Sequence, residues 1–441
     1  RAIRDVYKRQ EYRHLLYPLL IEQIFLMLIG NVNVFLMSQV ADRAVAATGI
    51  ADQVMSIGTM AMGIITLGST ILMLRLADPN QLGPIQSIFK QTVVLNIGLA
   101  TVIIAIIWIF GHPILRLMQT PEGIIDLAHV YLNIVSISLI TQGLFASLGA
   151  LLRSFEKVKA SMVISIINTL LIILGNGFVV YTNIFEGTRA LIGIGIFTVL
   201  ARIVGLVIGF ITAFGQLPNV WRNIFNKSVE SWDYVKEILS LGIPSGMENV
   251  VYNLVQTIIM GVIASMGSIA IASKVYTDTI TAIAFTVAVA GGQALQVQIG
   301  KLLRQDKVDR AKNFGLHIVH RYGLASILIS LTLALLGPVL IPIFTQDSFV
   351  HQTVQNLLWI CIIYDLGRVA NEILIAILQV PGDVQCPVYA GIVTKVLLTV
   401  PLALLAGYAK SGIFVIYIIF TLDELVRAVL FYQRWRKKKW L

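Results

Sequence analysis

The chain has 441 residues, 57% hydrophobic and 13% charged, with a mean hydropathy of +0.83. A soluble domain carries roughly 25% charge, and no soluble core hides this much apolar chain, so soluble enzymes and nucleic-acid binders are excluded and the class is polytopic membrane protein. The net charge of +10 is therefore loop charge, and Cys361 and Cys386, in or near apolar runs, specify no disulfide framework.

Residues 1–10, RAIRDVYKRQ, differ in character from the rest of the chain, read as an artefactual start and carry no expectation about the fold. The first apolar run is a full span, not a cleavable signal peptide. A bilayer-crossing helix needs about 20 mostly apolar residues. Twelve segments meet that requirement: 14–39, 45–76, 86–111, 123–151, 158–181, 190–214, 238–265, 269–302, 312–336, 350–378, 384–408 and 411–433. Pro113, Pro121, Pro218, Pro338, Pro342 and Pro381 stand at or near their ends, where helices stop most cheaply.

Cations set the orientation. With the N-terminus cytoplasmic, the inner segments hold 24 of the 33 Lys and Arg, and the outer loops hold only Arg43, Arg116, Arg189 and Lys410. Both termini are thus expected to be cytoplasmic. The terminal RWRKKKW reads as a stop-transfer and anionic-lipid anchor rather than a nucleic-acid patch.

The chain repeats itself at a spacing of 226 residues. Pro18 matches Pro244, Glu22 matches Glu248, Asp52 matches Asp278, and Gly111 matches Gly337. LRSFEKVKAS at 152–161 matches LQVPGDVQCP at 378–387. Six spans per copy is an even number, so both copies enter from the same side, as parallel repeats. The expected organisation is an N-terminal arm at 1–13, a six-helix bundle at 14–214, a cytoplasmic linker at 215–236, a second bundle at 237–433 and a basic tail at 434–441.

Ionisable residues inside spans mark functional sites by default. Glu22 and Glu248 are the first candidates, to bind Na+ or H+ or to face a cationic substrate. The plain alternative is a structural acid near the inner interface. Asn33 lies eleven residues after Glu22, nearly on the same helix face. Tyr252 and Gln256 follow Glu248 at i+4 and i+8 and make a polar stripe. The tenth span holds the densest cluster: Asp365, Arg368, Asn371 and Glu372. Two acids and one arginine leave one carboxylate over, which a cation-coupling site needs. The alternative is a self-neutralised network that only holds the bundle together. Lys274 and Asp278 read as an i, i+4 salt bridge. Arg427 has Asp423 and Glu424 at i−4 and i−3. Arg202 and Arg427 read as structural, or as snorkelling to an interface. Lys395 has no evident partner. Gln293, Gln296 and Gln298 could line a cavity or pack helices. The chain has no GxxxxGK loop, which argues against direct ATP coupling, and no cofactor or resident metal is expected beyond Na+ at Glu248, Asp365 and Glu372.

These motifs, in order and in register, resemble the MATE family of multidrug and toxic-compound extruders over about residues 14–433. The carriers are Pro18 to Glu22, DRAVAATGIADQV at 42–54, RSFEKVKASM at 153–162, GIPSGMEN at 242–249, VQIGKLLRQDKVDRAK at 297–312 and VPGDVQCP at 380–387. The resemblance implies an all-α fold of two six-helix bundles forming a V around a central cavity. It also implies export of organic, often cationic, compounds by antiport with Na+ or H+, without enzymatic activity. Where the family often carries a mid-span Asp, this chain has Asn33. Where one branch binds protons in the fifth span, it has Ile172 and Asn176. Neither Asn33 nor Asn176 titrates, which shifts the coupling expectation to Glu248 and the tenth span. The expected protein is a monomer of the plasma or inner membrane that contacts small organic substrates and lipids and no nucleic acid. A lipid-linked oligosaccharide flippase and a non-transporting membrane subunit are the alternatives.

Overall fold

The computed structural model describes residues 2–40, 42–117, 120, 122–187, 189–222, 224 and 232–441. Every regular element among them is helical. The first half runs through α1 (Ala2–Ser38), α2 (Asp42–Leu76), α3 (Gly83–Leu117), α4 (Glu122–Ser136), α5 (Ser138–Ser154), α6 (Val158–Thr182), α7 (Arg189–Gln216) and the short α8 (Pro218–Trp221). The second half runs through α9 (Val235–Ser265), α10 (Ser268–Arg304), α11 (Val308–Leu335), α12 (Gly337–Phe344), α13 (Ser348–Gln379), α14 (Gln385–Thr394), a π-helical turn (Lys395–Thr399), α15 (Val400–Tyr408) and α16 (Ile413–Arg436).

Each expected span falls on one of these helices, on the α4–α5 pair, or on α14, the π turn and α15 together. The backbone of residues 2–10 continues α1 without a break. Nine stretches among the described residues are long and apolar enough to cross a membrane. α9, α13 and α16 are also long, at 31, 32 and 24 residues, but are not among the nine. These three carry Glu248, the Asp365–Glu372 cluster, and Asp423, Glu424 and Arg427.

The repeat is visible in the backbone. Lys157 N–H donates to Leu152 O and Glu156 N–H to Arg153 O, closing the turn after α5. Asp383 N–H donates to Leu378 O and Gly382 N–H to Gln379 O, and each of these four residues stands 226 after its counterpart. Glu156 and Gly382 both take the left-handed conformation, at φ 64° and 98°. Glycine does so without strain.

The chain forms two compact units, residues 1–20 with 247–441, and residues 21–246. The divisions fall inside α1 and α9, not in the polar stretch 215–236. Residues 223 and 225–231 of that stretch lie outside the described residues. In the first unit α13 is the central helix, packed against α10, α11 and α16. The start of α1 is pinned there: Tyr12 OH donates to Gly291 O and shares a hydrogen bond with Tyr322 OH, both at 3.0 Å, and Lys301 pairs with Glu11. The C-terminal segment folds back onto the same unit. Trp435 and Trp440 stack and are buried, Arg434 pairs with Asp383, and Lys438 pairs with Asp309. Only Arg436, Lys437 and Lys439 of this basic run remain exposed, so the lipid-anchor expectation narrows to those three.

In the second unit α2 packs on α3, α4 and α5, and α6 on α7. Buried amides and small hydroxyls join these helices, as where Asn96 Nδ2 donates to Ser147 Oγ at 2.9 Å. α2 and the start of α9 meet backbone to backbone. A Cβ on Gly68 would lie 2.0 Å from Ile238 O, and one on Gly242 1.9 Å from Ile64 O. Gly242→Ala therefore forces the two helices apart, at a cost of about 1–3 kcal/mol for overpacking. Gly261→Ala, on an open face of the same helix, meets nothing within 4 Å and serves as the control. Thermal unfolding in detergent should show a lower midpoint for the first variant and an unchanged one for the second.

Candidate ion-coupling site

α16 supplies the fixed centre of the charged network in the first unit. A helix brings i, i+3 and i+4 side chains together, and Arg427 takes both acids one turn before it. Its Nε and Nη2 reach Asp423 Oδ1 and Oδ2 at 3.1 and 3.2 Å, and Nη2 also reaches Glu424 Oε1 at 2.9 Å. All three side chains are buried. Lys395, on the π turn, adds a second cation 3.5 Å from Asp423 Oδ2. Its Nζ also lies 5.2 Å from the centroid of the Tyr252 ring.

α13 faces this centre. Asn371 Nδ2 donates to Glu424 Oε2 at 2.6 Å and to the Glu424 carbonyl at 2.9 Å. Six residues back, Asp365 is fully buried and accepts from Ser330 Oγ at 2.8 Å. Arg368 Nη2 stands 3.7 Å from the other oxygen, Asp365 Oδ1, and its guanidinium carbon lies 4.8 Å from the Phe285 centroid and 5.3 Å from that of Tyr364. On α10, Asp278 pairs with Lys274 and accepts from Tyr417 OH at 2.8 Å.

Glu248 and Glu372 are the remainder. Glu372 lies within electrostatic reach of Glu248, Glu424 and Arg368, and Glu248 within reach of Arg427, Lys395 and Glu424. Among the described residues neither carboxylate forms an ion pair within 4 Å. The interior of this unit thus sets six carboxylates (Glu248, Asp278, Asp365, Glu372, Asp423, Glu424) against four cations (Lys274, Arg368, Lys395, Arg427), a formal excess of two negative charges.

Of the residues singled out in sequence, Glu248, Tyr252, Arg368, Asn371 and Glu372 belong to this network. Asp365 sits on its far side, held by Ser330 and Arg368. No three His, Cys, Asp or Glu side chains among the described residues form a metal cage, so Glu248, Asp365 and Glu372 are not one ligand set in this conformation. Gln256 lies partly buried one turn beyond Tyr252. Gln296 Nε2 donates to Ala376 O at 2.9 Å, and Gln298 Nε2 donates to Glu11, so these two amides join helices. Sequence reasoning paired Asp278 with Lys274 but missed its second partner, Tyr417, and the partners of Lys395 and Asn371, which come from helices distant in the chain.

The second unit holds the remaining candidates. Glu22 is buried and accepts from Ser165 Oγ at 2.7 Å; its other oxygen has no hydrogen-bond partner, and Arg153 is within electrostatic reach. Asn176 is buried and its Oδ1 accepts from Thr198 Oγ1 at 3.1 Å. The side chain of Asn33 lies outside the described residues. Arg202 stands thirteen residues from the start of α7 and fourteen from its end. At about 1.5 Å per residue it is roughly 20 Å from either end, too far to snorkel to an interface, which overturns that expectation.

The MatE family model matches residues 18–179 and 244–405, so the second match begins and ends 226 residues after the first. The chain belongs to the MatE family. This MATE protein is therefore a multi-pass membrane transporter of a multidrug-efflux family, not an enzyme. It is 29% identical over 431 residues to the "Uncharacterized transporter YisQ" of Bacillus subtilis, covering 97% of this chain and 94% of that protein. It is 19% identical over 365 residues to the "Probable multidrug resistance protein NorM" of Bacillus cereus, covering 82% and 80%. The solved structure "Outward-facing conformation of a multidrug resistance MATE family transporter of the MOP superfamily" superposes with a TM-score of 0.84 at 15% identity, covering 97% of this chain and 95% of that one. That match establishes the shared all-helical, two-repeat fold.

Removing one partner of a buried ion pair costs on the order of 3–5 kcal/mol, because the other charge stays buried. Arg427→Met leaves Glu424 with no cation within 4 Å among the described residues and Asp423 with Lys395 alone. Lys395→Met leaves Asp423 still held by Arg427. Thermal unfolding of the purified transporter should therefore show Arg427→Met as much the more destabilised of the two.

Proposed function

We propose that this MATE protein is a secondary active antiporter that exports cationic, drug-like organic compounds in exchange for Na+ or H+. Transport proceeds by alternating access, with residues 14–214 and 237–433 as the two repeats and 215–236 as the linker. The protein works as a monomer in the plasma or inner membrane with both termini cytoplasmic. The observation that carries this reading is the carboxylate pair Glu248 and Glu372, left over when every interior cation has taken its acid. Two neighbouring carboxylates in a low-dielectric interior repel each other and favour an added cation. A proton, a sodium ion or the cationic end of a substrate each satisfies that need, and no two of them satisfy it fully at once. Ion and substrate then bias one conformational equilibrium in opposite directions, which is the requirement for exchange. The excess of acids argues against a flippase for a lipid-linked diphosphate.

Ethidium efflux from proteoliposomes, with a Na+ gradient and a pH gradient imposed separately, tests the reading. Wild type should export under at least one gradient. Glu248→Gln, reconstituted in equal amount, should lose at least nine-tenths of that rate. Wild-type export by the variant would sink the role of Glu248, and absence of export under both gradients would sink the antiport.

A further inference from the structure

The two units treat a mid-span arginine in opposite ways. Arg427 is taken by Asp423 and Glu424. The positions 226 residues earlier hold Phe197 and Thr198, so α7 offers Arg202 no acid in the corresponding turn. Arg202 Nη1 donates to Ser138 Oγ at 2.7 Å. Asp52 and Tyr131 act on it through space, but no ion pair within 4 Å forms among the described residues. A guanidinium has five N–H donors in a fixed fork. One held at mid-span costs several kcal/mol unless it is neutralised or solvated, and marks a functional site by default.

Arg202 opens onto a pocket of about 130 Å³ within this unit, lined also by Thr141, Gln142, Phe145, Ala146 and Asn168. That is about four waters' share of liquid volume, at about 30 Å³ each, or a carboxylate with a few attached carbons. Gln142 Oε1 lies 3.3 Å from Thr59 Oγ1, whose one hydroxyl hydrogen also reaches Met55 O at 2.9 Å, so the Gln142 amide is held only loosely at the pocket wall. Asn168 Oδ1 is buried without a hydrogen-bond partner, and turning the amide end for end would present a donor in its place. Phe145 and Ala146 give the pocket an apolar wall. A planar cationic fork, two amides and an apolar wall match a carboxylate on a hydrocarbon body, and bidentate pairing with carboxylate is what the guanidinium fork does best.

We propose that this pocket binds a carboxylate of the transported compound, so that substrates carry an anionic end besides any cationic one. Among the described residues no acid pairs with Arg202 as Asp423 and Glu424 pair with Arg427, and the substrate carboxylate takes that role. That the bound compound is also transported rests on the exporter reading, while the pocket itself is tested by binding alone.

The test is fluorescence anisotropy with purified transporter in nanodiscs, using rhodamine B, which has a free carboxylate, and its ethyl ester, which does not. Wild type should bind rhodamine B about tenfold more tightly than the ester, the worth of one charge-assisted hydrogen bond. Arg202→Gln should bind both dyes with the ester's affinity, and its retained ester binding reports a folded protein. Arg202→Lys should keep part of the preference. Asp52→Asn, which removes the nearby negative charge, should widen it, whereas a purely structural Asp52–Arg202 pairing would leave it unchanged or weaken binding of both dyes. Equal wild-type affinities, or an undiminished preference in Arg202→Gln, would overturn the proposal. Ester efflux from proteoliposomes separates the two readings. Efflux without a carboxylate preference removes the pocket and keeps the exporter. An Arg202-dependent preference without efflux keeps the pocket and removes the exporter.

Discussion

A charge inside hydrocarbon must be met where it stands, and the first unit is arranged around that constraint. Arg427 sits between Asp423 and Glu424, all three buried. Lys395 reinforces Asp423, and Asn371 fixes the far oxygen of Glu424. Asp365 takes Ser330 and Arg368, and Asp278 takes Lys274 and Tyr417. Once these acids are assigned, Glu248 and Glu372 have no cation of their own among the described residues. The network is therefore a scaffold that leaves two neighbouring carboxylates without an ion pair within 4 Å among the described residues. A neutral network would stabilise the bundle equally well but would give a mobile cation nothing to bind.

The helices that carry these groups are the ones least like ordinary spans. α9, α13 and α16 give up apolar surface for ionisable side chains and depend on their neighbours to cover them. α13 manages this by lying at the centre of its unit, against α10, α11 and α16. The second unit follows the same backbone plan, down to the hydrogen bonds closing the turns after α5 and α13, with a different charge plan. It holds Arg202 without a neighbouring acid on α7 and Glu22 bound to a serine hydroxyl. Two copies of one fold thus carry different charge arrangements.

Much of this was legible in sequence, because some of it is periodic. The 226-residue repeat, the twelve helical stretches and the pairing of Arg427 with the acids at i−3 and i−4 follow from spacing along a chain or around a helix. The leftover carboxylate also follows from counting acids and cations on one span. What failed were contacts between helices. Lys395 appeared partnerless because Asp423 is 28 residues away on another helix, and Asn371 meets Glu424 across 53. Hydropathy sets neither the rotation of a helix about its axis nor the crossing that brings two faces together. The same limit hid the second partner of Asp365, Ser330 on α11, beside the Arg368 that shares its helix face. Arg202 differs: its depth is plain from its position in α7, but that no ion pair within 4 Å forms for it among the described residues appears only in three dimensions.

The central claim is that Glu248 and Glu372 form the place where coupling ion and substrate compete. Equilibrium binding of ethidium to the purified transporter, titrated against Na+ and against pH, reads that competition without transport. Wild-type affinity should fall as Na+ or H+ rises, and the Glu248→Gln/Glu372→Gln double variant should bind ethidium weakly and without response to either ion. A double variant whose residual binding kept the wild-type dependence on the ion would place the competition elsewhere and contradict the account.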